Sequence, residues 1–203
     1  MGVSAVFIED QKAPKRCGHM AGKQVIPAKE MATKIRAAAS SRSHPDNLFL
    51  LARTDAIEPE GLDDALRRGE LYMNSGADGL YFEGAHDRRE LQRIGKEFRG
   101  VPLALTILER GGKTPWIPAA ELHAMGFSMI LYPTTLLFRM THAVQQGLED
   151  LKAGRPLSKQ DSVDMLEFER LVDIAYWKMI ENQQLSVPER MRQLVNRLFR
   201  PAA

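Results

Sequence analysis

Five short, unbroken apolar runs constrain this chain more than any other feature: VSAVFIE (Val3 to Glu9), LFLLART (Leu48 to Thr54), GLYFE (Gly79 to Glu83), PLALTIL (Pro102 to Leu108) and FSMILYP (Phe127 to Pro133). Each is bounded by glycine, proline or charge. Segments with helical spacing lie between them, at Ala28 to Ala39, Gly61 to Ser75, Asp87 to Phe98 and Pro118 to Ala124, and a fifth, Thr135 to Ala153, follows the last run. A strand that is apolar on both sides of its backbone needs cover on both faces. Strand, helix, strand at this interval is therefore the pattern of parallel βα units, with helices laid over a buried sheet. SGADG and AMGFS each place a helix-stopping glycine just before a strand, which supports the same alternation.

After KAGRP (Lys152 to Pro156) the alternation ends, and two helical stretches follow, Asp161 to Gln184 and Pro188 to Phe199. The first carries Met165, Phe168, Leu171, Val172, Ala175 and Met179 as an apolar stripe, which the chain's own barrel or a neighbouring subunit must cover. The expected division is a unit of parallel βα repeats over residues 1–155, which the resemblance described below makes a partial barrel, and a helical tail over 156–203. With 203 residues, 44% of them hydrophobic, the chain can bury one full-sized core. A net charge of +2, from 28 basic and 26 acidic residues, gives no broad field for nucleic acid or an anionic membrane. The one cysteine cannot form an internal disulfide, and no stretch reaches the roughly 18 apolar residues of a membrane span. MGVSAVFIEDQ lacks the pattern of a signal peptide, so a cytoplasmic protein is expected.

In parallel α/β folds, ligands bind at the carboxyl ends of the strands. Here those ends carry Glu9 and Asp10, Arg53 and Asp55, Glu83, Glu109, and Tyr132 with Thr134. One such residue merely marks the point where a chain leaves the core, but the repetition favours a site. The loop KAPKRCGH sets Cys17 among Lys15, Arg16 and His19, and positive neighbours favour a thiolate able to act as acid or base. Gly18 and Gly22 allow close backbone approach, so Lys12 to Lys23 reads as a lid. Arg53 offers a planar fork for a carboxylate, and Glu9 with Glu83 suits a hard cation such as Mg2+. His44, His86, His123 and His142 are too scattered to suggest zinc. ERGGKTP is not a phosphate loop, because Ile107 stands where that motif needs glycine. The basic stretch PERMRQLVNRLFR fits ordinary helix packing with solvated arginines.

VFIEDQKAPKRCGHMAGKQVIP resembles the isocitrate lyase and phosphoenolpyruvate mutase superfamily, and its KRCGH cysteine places the resemblance in the lyase branch, nearest the 2-methylisocitrate and 2,3-dimethylmalate lyase types. LLARTDA, GADGLYFEGA, ERGGKTP and GFSMILYP extend it over about residues 2–155. The resemblance implies a (β/α)8 TIM barrel with carboxyl-terminal helices exchanged between the subunits of a dimer or tetramer. It also implies a Mg2+-dependent cleavage of a 2-hydroxy di- or tricarboxylate into an α-keto acid such as pyruvate and a dicarboxylate. By the same resemblance Cys17 protonates the departing carbanion with help from Lys15 and His19. Arg53, Arg16, Gly18 and Thr114 hold the substrate's carboxylates, Glu83 sits near the reacting hydroxyl, and Glu9 lies in the metal's water shell.

Two departures stand out. Thr106 and Arg110 occupy positions where the family usually has Asn and Gly. The five strands also match the family's fourth to eighth, so the aspartates that bind Mg2+ are expected upstream of Met1 and the activity is expected to be impaired. The alternatives are a non-catalytic remnant that assembles with a full-length relative, a phosphoenolpyruvate mutase or carboxyphosphonoenolpyruvate phosphonomutase-like member, and an independent doubly wound domain with a strand-order reversal.

Overall fold

A computed structural model describes residues 3–44, 47–156 and 158–185, with 189, 191 and 192. The chain divides into two compact units, Met1–Met140 and Thr141–Ala203. In the first, five parallel strands, β1 (Ala5–Glu9), β2 (Phe49–Thr54), β3 (Gly79–Phe82), β4 (Leu103–Thr106) and β5 (Phe127–Leu131), lie in the order β1-β2-β3-β4-β5. The connections carry α1 (Ala28–Ser40), α2 (Ile57–Glu60) with α3 (Leu62–Met73), α4 (Arg88–Glu97) and α5 (Ala119–Ala124). Each strand pairs with the next in sequence, so there is no reversal of strand order and no doubly wound switch point. This is an arc of barrel-type βα units, as expected. The short α2 at the head of the β2–α3 connection is an addition that the apolar spacing did not reveal.

Alternation along each strand separates two faces. Leu50, Ala52, Leu80, Phe82, Leu103 and Leu105 point to the helix layer, where Met31, Ile35, Leu66, Tyr72, Leu91, Ile94 and Leu122 cover them in the main core. Leu51, Tyr81 and Ala104 form a smaller cluster on the opposite face, with Phe49, Met129 and Leu131 against it. Full burial of all five runs was the expectation, and β1 does not meet it: Val6 is 36% and Phe7 49% exposed. The physical reason is position, since β1 pairs only with β2 and forms a sheet edge.

Asp87 caps α4 by accepting hydrogen bonds from the backbone amides of Arg89 and Glu90. Gly95, inside α4, lies so near the α5–β5 turn that a Cβ there would come within 1.6 Å of the Met125 carbonyl oxygen.

Helix α6 (Thr135–Lys152) starts in the first unit and continues into the second, which also holds α7 (Met165–Leu171) and α8 (Ile174–Gln184). The single helix expected from Asp161 to Gln184 is in fact two. Asp173 adopts a left-handed conformation (φ 51°) and its carboxylate accepts a hydrogen bond from the Tyr176 amide, which ends one helix and caps the next. Neither α6, α7 nor α8 buries a residue. The expected Pro188 to Phe199 helix falls almost wholly outside the described residues. Among the described residues no helix is long and apolar enough to cross a membrane.

Candidate active site

The register that pairs Glu9 with Arg53 and Arg53 with Tyr81 brings three strand ends into one ring on the inner face. Arg53 is its centre. Its Nε lies 3.1 Å from Glu9 Oε2 and 2.9 Å from Asp55 Oδ2, and its Nη2 lies 3.3 Å from Glu83 Oε2. The guanidinium also sits 4.9 Å from the centre of the Tyr81 ring. Burial disfavours the charge on Arg53, but the hydrogen bond to Asp55 and the charges of Glu83 and Asp55 outweigh it and raise the pKa above its ordinary value.

Asp10, one residue beyond Glu9, points the other way, into the helix layer. Its carboxylate accepts hydrogen bonds from the Asp55 amide (2.9 Å), Thr54 Oγ1 (2.8 Å) and the Tyr72 hydroxyl (2.7 Å), and Arg68 Nη1 lies 3.2 Å away. Burial pushes the Asp10 pKa up, and these partners do not fully offset it. Arg68 also donates to the Ile26 carbonyl (2.9 Å), so this buried cluster fastens the far end of the loop that starts at Asp10.

That loop is the expected lid, and it is folded onto the ring. Its ends are joined by hydrogen bonds from Ile26 N to the Asp10 carbonyl (2.8 Å) and from Lys12 N to the Gln24 carbonyl (2.8 Å). Gln11 brackets Arg16 by donating to its carbonyl (3.0 Å) and accepting from its amide. At the tip, Gly18 lies against Glu83 and Arg53 so closely that a Cβ would be 2.3 Å from Glu83 Cγ and 2.6 Å from Arg53 Nη2. His19 Nδ1 accepts a hydrogen bond from the Lys113 amide (2.9 Å), which leaves Nε2 to carry the proton of a neutral ring. His19 Nε2 is 3.0 Å from Glu83 Oε1, yet both atoms are buried without a completed hydrogen bond.

Lys23, buried on the same loop, donates to the Gly18 carbonyl and lies 3.3 Å from Asp55 Oδ1 and 3.8 Å from Glu58 Oε2. Glu58 Oε2 is also 3.0 Å from Lys113 Nζ, so one carboxylate joins the lid to the loop between β4 and α5. Burial raises the Glu58 pKa, but Lys113 and Lys23 outweigh it and hold the carboxyl below its ordinary value. Glu83 behaves alike: burial pushes it up, while His19, Arg53 and Tyr81 bring it below the usual range.

The expected site residues thus fall into two groups. Glu9, Gly18, His19, Arg53 and Glu83 meet in the ring and at the lid tip. Lys15, more than half exposed, reaches Glu9 Oε1 at 2.9 Å. Cys17 is exposed, while Lys15 and His19, its expected helpers, face Glu9 and Glu83 instead. Arg16 is exposed and lines a cavity of about 200 Å³ at the lid's base with Gln11, Lys12, Ala13, Pro14 and Gly22. Thr114 is buried. Arg110, at a position where glycine was expected, has the positive φ (56°) that glycine adopts readily.

Sequence reasoning named Asp55 only as one of the strand-end charges, with no role of its own, and gave no site role to Lys23, Tyr81 or Glu58. For Asp55 a signal existed, because residues two apart at a strand end share a side, and Arg53 was already singled out. For Lys23 there was none.

The described residues do not fit a metal centre. No group of three His, Cys, Asp or Glu side chains able to hold an ion occurs among them, and both Glu9 oxygens face cations.

Residues 1–152 match the family model described as phosphoenolpyruvate phosphomutase. The chain is 41% identical over 187 residues to carboxyvinyl-carboxyphosphonate phosphorylmutase of Arabidopsis thaliana, covering 89% of this chain and 54% of that protein. It is 40% identical over 143 residues to 2,3-dimethylmalate lyase of Eubacterium barkeri, covering 70% of this chain and 48% of the relative. A crystal structure of 2,3-dimethylmalate lyase, a PEP mutase/isocitrate lyase superfamily member, superposes with a TM-score of 0.78 at 32% identity, covering 88% of this chain and 60% of that one. The chain therefore spans about half the length of the relatives it matches.

Proposed function

Since the chain belongs to the phosphoenolpyruvate phosphomutase family of the PEP mutase/isocitrate lyase superfamily, we propose that it acts as a carbon-carbon lyase on a 2-hydroxy di- or tricarboxylate of the 2-methylisocitrate or 2,3-dimethylmalate type. The observation that carries this reading is the packing of the KRCGH lid on the ring of Glu9, Arg53 and Glu83, with Gly18 in contact with Glu83 and Arg53. A lid so placed excludes water from a carbanion. In the proposed reaction the substrate's hydroxyl gives its proton to the Glu83 carboxylate, the bond between carbons 2 and 3 breaks, carbon 2 becomes the carbonyl of the keto acid, and carbon 3 takes the electron pair. Cys17 returns a proton to that carbon. Glu83 Oε1 receives the hydroxyl's hydrogen bond, and Arg53 with the lid's cations holds the carboxylates.

Mg2+ supplies electron withdrawal from the keto fragment in this family's chemistry. Among the described residues no group of three His, Cys, Asp or Glu side chains offers it a ligand set. The uncovered apolar residues of α6, α7 and α8 support a homo-oligomer built by helix exchange, with a cytoplasmic location as the setting we propose.

A second reading, phosphonate mutase chemistry, is favoured by the likeness to the Arabidopsis phosphorylmutase. The two are separated by incubating the chain and Mg2+ with 2-methylisocitrate, 2,3-dimethylmalate and phosphonopyruvate, following pyruvate by a coupled assay and phosphorus species by NMR. The expected result is at most slow release of pyruvate from a hydroxy acid, because the described residues offer Mg2+ no ligand set, at a rate that falls about 10²–10⁴-fold in Cys17→Ser, the usual worth of a positioned general acid. Turnover of phosphonopyruvate alone, or a Cys17→Ser variant as active as the parent, would overturn the lyase reading. Absence of all turnover would overturn a catalytic role for this chain and leave that of an assembly partner.

A further inference from the structure

Glu83 has two oxygens with different surroundings. Oε2 accepts a hydrogen bond from Thr106 Oγ1 (3.2 Å) and lies 3.3 Å from Arg53 Nη2. The Tyr81 hydroxyl is bonded to Thr106 Oγ1. Either hydroxyl can donate in that bond, and the phenol also bears on Glu83 itself. The result is a bonded string of Tyr81, Thr106 and Glu83, with all three residues buried. Tyr81 is itself held from both sides, by the edge of Phe7 (centroids 5.7 Å apart) and by the Arg53 guanidinium. Oε1, by contrast, faces only the His19 Nε2 contact and completes no hydrogen bond.

We propose that Tyr81 and Thr106 are positioning residues that fix Glu83 through Oε2, so that Oε1 is presented with His19 Nε2 to a hydroxyl-bearing carboxylate. The inference rests on the lyase reading and assigns the discrimination for the substrate's 2-hydroxyl to Glu83 Oε1, which a ligand without that hydroxyl leaves with the His19 contact alone.

The test has two arms. In the first, without ligand, carboxyl-labelled glutamate is followed by carbon NMR through a pH titration, with Glu83 assigned by its loss in Glu83→Gln. His19, Arg53 and Tyr81 are the titratable groups that face it. The Glu83 midpoint is expected to rise by about one pH unit in Tyr81→Phe and in Thr106→Val, as one charge-assisted hydrogen bond is lost, and to return in Thr106→Ser. An unchanged midpoint in both variants would overturn the positioning role. Tyr81→Phe and Thr106→Ser are small changes, and circular dichroism verifies their folding.

In the second arm, calorimetry compares malate with succinate. The parent is expected to favour malate about tenfold, with the preference lost in Tyr81→Phe and Thr106→Val and regained in Thr106→Ser. Equal affinity in the parent, or no binding of either acid, would overturn the hydroxyl-binding reading of Glu83 while the first arm still judges the string. A preference that survives both substitutions would overturn the string while leaving that reading intact.

Discussion

Gly18 has no room for a side chain. A methyl group at this position overlaps the Glu83 carboxyl and the Arg53 guanidinium, both of them fixed by other partners. Gly18→Ala is therefore expected to move the lid rather than the ring, with a cost of about 1–3 kcal/mol, the usual penalty for overpacking. Trypsin reads this directly: Lys23 is buried in the parent, so cleavage after Lys23 is expected to accelerate in the variant. Cleavage at the parental rate would show that the lid tip tolerates the methyl. Glu9, Arg53 and Glu83 were legible because each ends an apolar run, where a charge has little other reason to stand. The opposite orientations of Glu9 and Asp10 follow from strand alternation. What was not legible is pairing: nothing in the string AGKQVIP says that Lys23 turns inward to meet Asp55, because that contact is made 32 residues away. Cys17, by contrast, stands out in the sequence more than in the fold, where it is exposed while Lys15 and His19 face Glu9 and Glu83.

At the level of elements, the most sensitive joint is the one between α4 and the α5–β5 turn. The Met125 carbonyl is backbone and cannot rotate away from a Cβ at Gly95. Gly95→Ala, which ordinarily favours a helix by about 1 kcal/mol, is here expected to destabilise the fold by about 1–3 kcal/mol or more, measured by urea denaturation. A stabilised variant would mean that the helix can shift without cost. The strands were readable as elements because buried parallel strands are apolar on both sides, but their order was not, since the same spacing also allows a doubly wound sheet with a reversal that only the observed pairing excludes. The break at Asp173 was hidden by an apolar stripe that runs through it, because a stripe reports a face and not the local hydrogen bond by which an aspartate ends a helix.

For the molecule as a whole, the decisive fact is that five strands in simple sequence order match barrel-type relatives of which the chain spans about half. The described residues assemble a lid, an arginine-centred ring and a buried Asp10–Arg68 anchor, but not a group of three metal-ligating side chains. Thermal unfolding of this chain is accordingly expected to be the same in EDTA as in millimolar Mg2+, because an ion that binds only weakly adds almost nothing to stability. A clear rise in melting temperature with Mg2+ would reveal a site that the described residues do not show.

The lid also changes the electrical character of what lies beneath it. The ring supplies three carboxylates, from Glu9, Asp55 and Glu83, against the single cation of Arg53, while the lid brings the ammonium groups of Lys15 and Lys23 to Glu9 and Asp55. With the lid in place these side chains sum to neutrality, and without it they carry two excess negative charges. An uncovered ring repels an anion more strongly than a covered one, so the loop that shuts the site is also its counter-ion.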